Sequence, residues 1–174
     1  MEFGAWNLEF TINEYRIFEE KELKYMKVLM VCLGNICRSP LAEGILKKQV
    51  QEKGLDWEVD SAGTSGWHVG ELPDSRSIAT AKQYGIDITD QRSRKFQKAD
   101  LDTFDLVLAM DTSNYNDILR LASADQAAKV KMILNFAYPN ENRSVPDPYY
   151  NDGFEGAYTL LDLSCGKIIE AYAK

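Results

Sequence analysis

The sequence predicts an α/β fold: a parallel sheet of four strands flanked by helices in a three-layer arrangement. Three observations carry that expectation. From Met26 onward, short β-rich runs alternate with segments whose apolar residues recur at helical spacing. The first run passes through a glycine-containing loop directly into a helical segment, as open parallel sheets do. The chain closes on one long amphipathic stripe that can cover a sheet face.

The strands are expected at residues 27–31, 57–60, 105–109 and 130–134. After the first strand, the pairs Leu41/Ile45 and Leu46/Val50 repeat at i,i+4 and predict a crossover helix. Ser39-Pro40 supplies an N-cap candidate followed by a proline at the first helical position. After the second strand, Pro73-Asp74 opens another helix that Gly85 can close. Beyond the third strand, Asp111 and Asn114 read as capping residues, and Tyr115, Ile118, Leu119 and Ala122 recur at helical spacing. The final stripe is Phe154, Tyr158, Leu161, Cys165, Ile168 and Tyr172, which places Cys165 on a core-facing side.

The chain divides after about residue 25. Residues 1–25 are acidic on balance and form an N-terminal extension of unknown role. That extension is either a short element docking its Phe, Trp and Ile side chains on the domain, or the product of an upstream start codon. Residues 26–174 form a single domain, since 174 residues with 45% hydrophobic content suit one core and leave too little for a second. No apolar run approaches the ~18 residues of a membrane helix, and the first ten residues lack a basic start followed by an apolar core. Three cysteines, an odd number, suit a reducing compartment better than a disulfide framework, so the expected location is the cytoplasm. The net charge of -7 argues against a nucleic-acid surface. It leaves room for a small anionic ligand, because a local cluster of amide dipoles and one arginine outweighs a distant, screened global charge.

The stretch V-C-L-G-N-I-C-R-S-P, running from Val31 to Pro40, concentrates the chemistry. Gly34 and Asn35 tolerate unusual backbone angles, so the loop can curl its amides inward at the start of the following helix. Such a nest of N–H donors binds phosphate, and the same field stabilises a thiolate at Cys32. Arg38 can grip two phosphate oxygens through its planar fork, which lysine does not reproduce. Cys-x5-Arg is therefore a covalent phosphate-transfer device, with a nucleophile at one end, a clamp at the other, and the backbone of Leu33, Gly34, Asn35, Ile36 and Cys37 between them. A Walker-type nucleotide loop is excluded by the missing G-K-[ST] ending. Zinc is disfavoured because Cys32 and Cys37 would need two more ligands, and only His68 and Cys165 remain.

From Met26 to its end the chain resembles the low-molecular-weight protein tyrosine phosphatases. The motif V-C-L-G-N-I-C-R-S-P is highly specific to them, and S-A-G-T at positions 61–64, W-H-V-G at 67–70, L-A-M-D at 108–111 and P-D-P-Y-Y at 146–150 add to the match. The resemblance implies a flavodoxin-like fold of the phosphotyrosine phosphatase I type and hydrolysis of aryl phosphate monoesters through a phosphocysteine. Cys32 would be the nucleophile, Arg38 the phosphoryl clamp, Asp147 the general acid, and Ser39 an aid to Cys32 as a leaving group. Asn35 and Ser61 would hold the loop's shape, while Trp67 and Tyr149 would wall the substrate slot. No metal or cofactor is implied, and the partner would be a phosphotyrosine-containing protein or a small aryl phosphate. Residues 1–25 have no counterpart in the family pattern.

The residues support the implied acid on their own terms. Prolines on both sides restrict Asp147 to an extended geometry, and a departing phenolate needs a proton. His68 reads as a hydrogen-bonded structural residue. Three alternatives compete with the hydrolase. An arsenate reductase would pass a disulfide along further cysteines, yet none occurs between Arg38 and Cys165. A phosphotyrosine-binding module without catalysis would usually have replaced Cys, Arg or Asp. Phosphoarginine phosphatases resemble this chain but tend to carry threonine where Ile36 stands.

Overall fold

The computed structural model describes residues 25–173. Both readings of the N-terminal extension therefore fall, apart from Tyr25, outside the described residues. In chain order the elements are β1 (Met26–Cys32), α1 (Arg38–Glu52), β2 (Trp57–Gly63), α2 (Ser75–Gln83), α3 (Asp100–Thr103), β3 (Leu106–Ala109), α4 (Thr112–Leu119), α5 (Ala124–Ala127), β4 (Val130–Met132), a 3-10 turn (Ile133–Asn135) and α6 (Phe154–Tyr172).

The four strands form one sheet in the order β2-β1-β3-β4, and every pairing is parallel. A parallel sheet covered on both faces needs apolar residues on both sides of its central strand, and β1 supplies them without interruption from Val28 to Cys32. Val28, Met30 and Cys32 face a core shared with α1 and α6, while Leu29 and Val31 face a second core with Phe104, Ile118 and Val130. The chain leaves β1 toward β2 on one side and returns to β3 on the other, so the carboxyl end of β1 is the topological switch point where such sheets bind ligands. The loop after Cys32 lies there.

Three expectations change in detail. β2 continues past Asp60 to Gly63, because Ser61, Ala62 and Gly63 pair with Met30, Val31 and Cys32; a polar residue and two small ones do not read as strand until a neighbour fixes them. β4 ends at Met132, and the apolar Ile133 and Leu134 are buried in a 3-10 turn instead. Burial alone does not distinguish the two conformations. Helix α1 starts at Arg38 with Cys37 as its N-cap and no capping side chain, so Ser39 is not the cap. Its hydroxyl is engaged at Cys32 instead.

Helices α2, α4 and α6 follow their sequence signals, although α4 ends at Leu119 and leaves Ala122 beyond it, while the one-turn helices α3 and α5 carried no sequence expectation. Asp74 caps α2 by accepting from the Arg76 amide, and Gly85 takes φ 71° just beyond its end. Asp111 caps α4 by accepting from the Asn114 amide. In α6 the whole stripe from Phe154 to Ile168 is buried and Tyr172 is half-buried. Among the described residues no helix is long and apolar enough to cross a membrane.

Candidate active site

Cys32 ends β1 with its side chain buried, and its sulfur is met from two sides. The Asn35 backbone N–H points at Sγ from 3.2 Å, and the Ser39 hydroxyl lies 3.1 Å away. Asn35 can turn its amide inward because it adopts φ 55°, a left-handed conformation that asparagine tolerates better than most residues. Its side chain then becomes the hub of the loop: Nδ2 donates to Ser39 Oγ at 2.9 Å and to Ser61 Oγ at 2.8 Å, and Oδ1 accepts from the Arg94 amide at 2.9 Å. With its lone pair taken by Asn35, Ser39 has its own proton available for Sγ; its other acceptor, the Ala62 carbonyl, is at 3.4 Å.

The chain of donors ends on a buried acid. Ser61 donates to Glu43 Oε2 at 2.6 Å, and Lys47 reaches Oε1 at 2.5 Å. Burial pushes the Glu43 carboxyl up, while the bonds from Lys47 and Ser61 work against that shift. The loop also presses on β2. A Cβ added at Gly63 would lie 2.7 Å from the Leu33 carbonyl oxygen and 3.1 Å from the Asn35 nitrogen, so only glycine allows this approach.

Arg38 emerges from the first turn of α1 with a buried side chain and three acceptors around it. Nη1 donates to Asp111 Oδ2 at 2.8 Å and to the Val145 carbonyl at 3.1 Å, while Nη2 reaches Asp147 Oδ2 at 3.4 Å. Burial opposes its charge, yet the field of Cys32, the bond to Asp111 and the field of Asp147 prevail and hold its proton more tightly than usual. Asp111 is itself fixed from behind: with the Asn114 amide turned so that Nδ2 faces the carboxylate, both oxygens are reached at 3.1 Å.

Above Cys32 opens a cavity of about 210 Å³ lined by the loop, Arg38, Trp67, His68, Asp147, Tyr149 and Tyr150. The flanking prolines leave Asp147 half-exposed, and its Oδ1 accepts from the Tyr149 amide at 3.1 Å. Trp67 is 74% exposed and Tyr150 87%, so the aromatic rim stands open to a flat group. His68 is bonded to Glu71 through Nδ1 at 2.8 Å, as its structural reading expects, but its ring also touches the cavity. A larger groove of about 830 Å³ between α1 and α6 is lined by mutually paired charges, among them Lys48 with Glu52 and Lys167 with Glu170, and offers no nucleophile.

Every residue singled out in the loop, together with Trp67, Asp147 and Tyr149, comes to this one cavity or its immediate support. Three contributors were not legible as such. Asp111 reads as a cap and is also the partner of Arg38. Glu43 follows the motif by five positions from Arg38, on a helix face that only the fold turns toward Ser61. Tyr150 joins the rim beside Tyr149, a doubling visible in P-D-P-Y-Y. The other two cysteines lie buried: burial, with the field of Asp74 next, pushes the Cys37 thiol up to about 12, and burial raises Cys165 further.

Comparison with known proteins follows the same residues. The profile of the family described as low molecular weight phosphotyrosine protein phosphatase matches residues 27–174. The chain is 42% identical over 147 residues to the low molecular weight phosphotyrosine protein phosphatase of Schizosaccharomyces pombe, covering 81% of this chain and 94% of that one. The crystal structure of YfkJ from Bacillus subtilis superposes with a TM-score of 0.80 at 35% identity, covering 85% of this chain and 94% of that one. That of DARP, a Drosophila arginine phosphatase, does so with a TM-score of 0.80 at 36% identity, covering 86% of this chain and 99% of that one.

Proposed function

The chain belongs to the low molecular weight phosphotyrosine protein phosphatases, and from that membership we propose how its own residues hydrolyse a phosphotyrosine monoester. Cys32 is the nucleophile. Its Sγ attacks phosphorus as the bond to the aryl oxygen breaks, and Asp147 gives its proton to that departing oxygen. In the second step Asp147, now a carboxylate, takes a proton from water. The water oxygen bonds to phosphorus, the P–S bond breaks, and phosphate leaves with the thiolate restored.

One observation carries this reading: the Asn35 N–H and the Ser39 hydroxyl converge on a single sulfur at the floor of a cavity whose walls include both Arg38 and Asp147. Donors placed so favour charge on sulfur, both before attack and when it departs. Arg38 serves the transferring phosphoryl group, and Asp111 and Val145 hold its fork toward the cavity. Trp67 and Tyr149 give a flat aromatic leaving group two faces to lie against. Ile36, on the same wall, offers a branched apolar surface rather than a hydroxyl, which favours an aryl over a guanidinium phosphate. The substrate is accordingly a phosphotyrosine-bearing protein or a small aryl phosphate, and three free thiols fit action in the reducing cytoplasm.

Turnover of a phosphotyrosine peptide, phosphoarginine and arsenate, measured side by side with wild type and Cys32→Ser, tests the proposal. The expected result is hydrolysis of the peptide well above the other two, lost in Cys32→Ser while vanadate still binds, because the amide nest and Arg38 remain. Preference for phosphoarginine, or near-normal activity in Cys32→Ser, would overturn it.

A further inference from the structure

The segment that carries Asp147 is tethered at one place that the reaction scheme leaves unused. Among the described residues, only two side chains outside residues 147–153 donate hydrogen bonds into that stretch. One is Arg38; the other is Arg76, in the first turn of α2. Arg76 Nη1 donates to the Tyr149 carbonyl at 3.2 Å and to Asp152 Oδ1 at 2.8 Å. Asp152 sits at φ 53°, a strained conformation for aspartate that a fixed cation can hold in place. The guanidinium carbon also lies 5.3 Å from the centroid of the Tyr149 ring and 4.8 Å from that of Phe154, within cation–π range of both.

The other edge of the same guanidinium is locked. Asp74 accepts from Nε at 3.0 Å through Oδ1 and from Nη2 at 3.0 Å through Oδ2, while Oδ1 also caps α2. Bonding to Arg76 holds the Asp74 carboxyl below its ordinary value, so the pair stays charged at neutral pH. Asp74 is in turn fastened to the nucleophile loop: its amide donates to the Ile36 carbonyl at 2.7 Å, and Ser77 Oγ donates to the Cys37 carbonyl at 3.0 Å. The first turn of α2 therefore touches the back of the Cys32 loop on one side and, through Arg76, the front of the acid segment on the other.

We infer that Arg76 is the positioning residue of the acid segment: fixed to the nucleophile loop through Asp74, it holds the Tyr149 carbonyl and Asp152 so that the Asp147 carboxyl and the Tyr149 ring stand over Cys32. The inference rests on the reading of Asp147 as the proton donor. A plain surface ion cluster would stabilise the fold equally for every substrate. A strut for the acid acts only where a proton is needed, so its loss must scale with the basicity of the leaving group.

The test is the rate of phosphocysteine formation, taken from burst kinetics with a phosphotyrosine peptide and with nitrophenyl phosphate, in wild type, Arg76→Gln, Asp147→Asn and the double variant. Arg76→Gln should slow the peptide roughly 10–100-fold, the scale of a misplaced catalytic group, and nitrophenyl phosphate far less. Added to Asp147→Asn it should cost less than about threefold, because an absent acid gains nothing from positioning. Arg76→Lys, which keeps the charge without the fork, should restore only part of the loss, and vanadate affinity should stay near wild type throughout. If Asp147→Asn is sensitive to the leaving group and Arg76→Gln is not, or if the two losses multiply, the inference falls alone. If Asp147→Asn shows no such sensitivity, the acid reading falls and takes the inference with it. Should Arg76→Gln fail to fold, Asp152→Ala decides. It cuts one arm at a side chain 80% exposed and should show the same leaving-group dependence at smaller amplitude, and an unchanged profile would overturn the strut.

Discussion

Asp111 has two customers for its two oxygens. Oδ1 accepts from the Asn114 amide and caps α4, and Oδ2 accepts from Arg38. Asp111→Asn keeps a good capping residue and removes one acceptor, so whichever bond its single oxygen keeps, its NH₂ faces a donor. With the cap satisfied, the cost falls on Arg38. The fold should lose little stability in thermal melting, while kcat/KM should drop roughly 10–100-fold, the worth of a charge-assisted hydrogen bond of about 1.5–3 kcal/mol. A matched loss of stability and activity would mean that Asp111 serves only the helix. The cap was legible because it is local, three residues apart in sequence. The contact with Arg38 spans 73 positions and appears only once β1 and β3 are paired. Glu43 escaped notice for the same reason: nothing in L-A-E-G announces that α1 will turn this acid inward onto Ser61.

At the scale of elements, helices and strands with a strong local pattern were legible, as were ends marked by a local cap, while ends fixed by a distant neighbour were not. The stripe of α6 and the Asp74 cap of α2 depend on neighbours a few residues away, and both stand as expected. The extension of β2 through Ser61–Ala62–Gly63 depends on β1 lying alongside, and it matters to the site because this is the part of β2 that meets the loop. Gly63→Ala probes that junction. The new Cβ meets backbone rather than a movable side-chain end, so strand or loop must shift. Overpacking of this kind costs about 1–3 kcal/mol, and displacing the Asn35 amide by even ~1 Å could lower turnover by about 10²-fold. Melting temperature and vanadate affinity should fall together in this variant. Wild-type affinity for vanadate would show that the loop keeps its shape without close support from β2.

At the scale of the whole molecule, a net charge of -7 is compatible with an anionic substrate because amide donors and a guanidinium meet at one point of the fold. The order β2-β1-β3-β4 places the switch point at the end of β1, and α1 begins there with Arg38, so backbone dipoles and one guanidinium act where acidic side chains elsewhere are screened. The fold class, a parallel sheet between helices, was legible from the alternation of elements and from the loop between strand and helix, while the strand order emerges only from the structure. The layout of the cavity was not legible, because its walls come from three separate stretches of chain. The central claim is that the phosphoryl group passes through Cys32. It is tested most directly by rapid acid quench of Asp147→Asn with nitrophenyl phosphate, whose leaving group needs little protonation while breakdown of the intermediate lacks its base. Mass spectrometry of the quenched protein should find one phosphoryl group per chain, located on Cys32 and absent when Cys32→Ser is added. A phosphoryl group on another residue, or product formed with no protein-bound phosphate at any time point, would contradict the account.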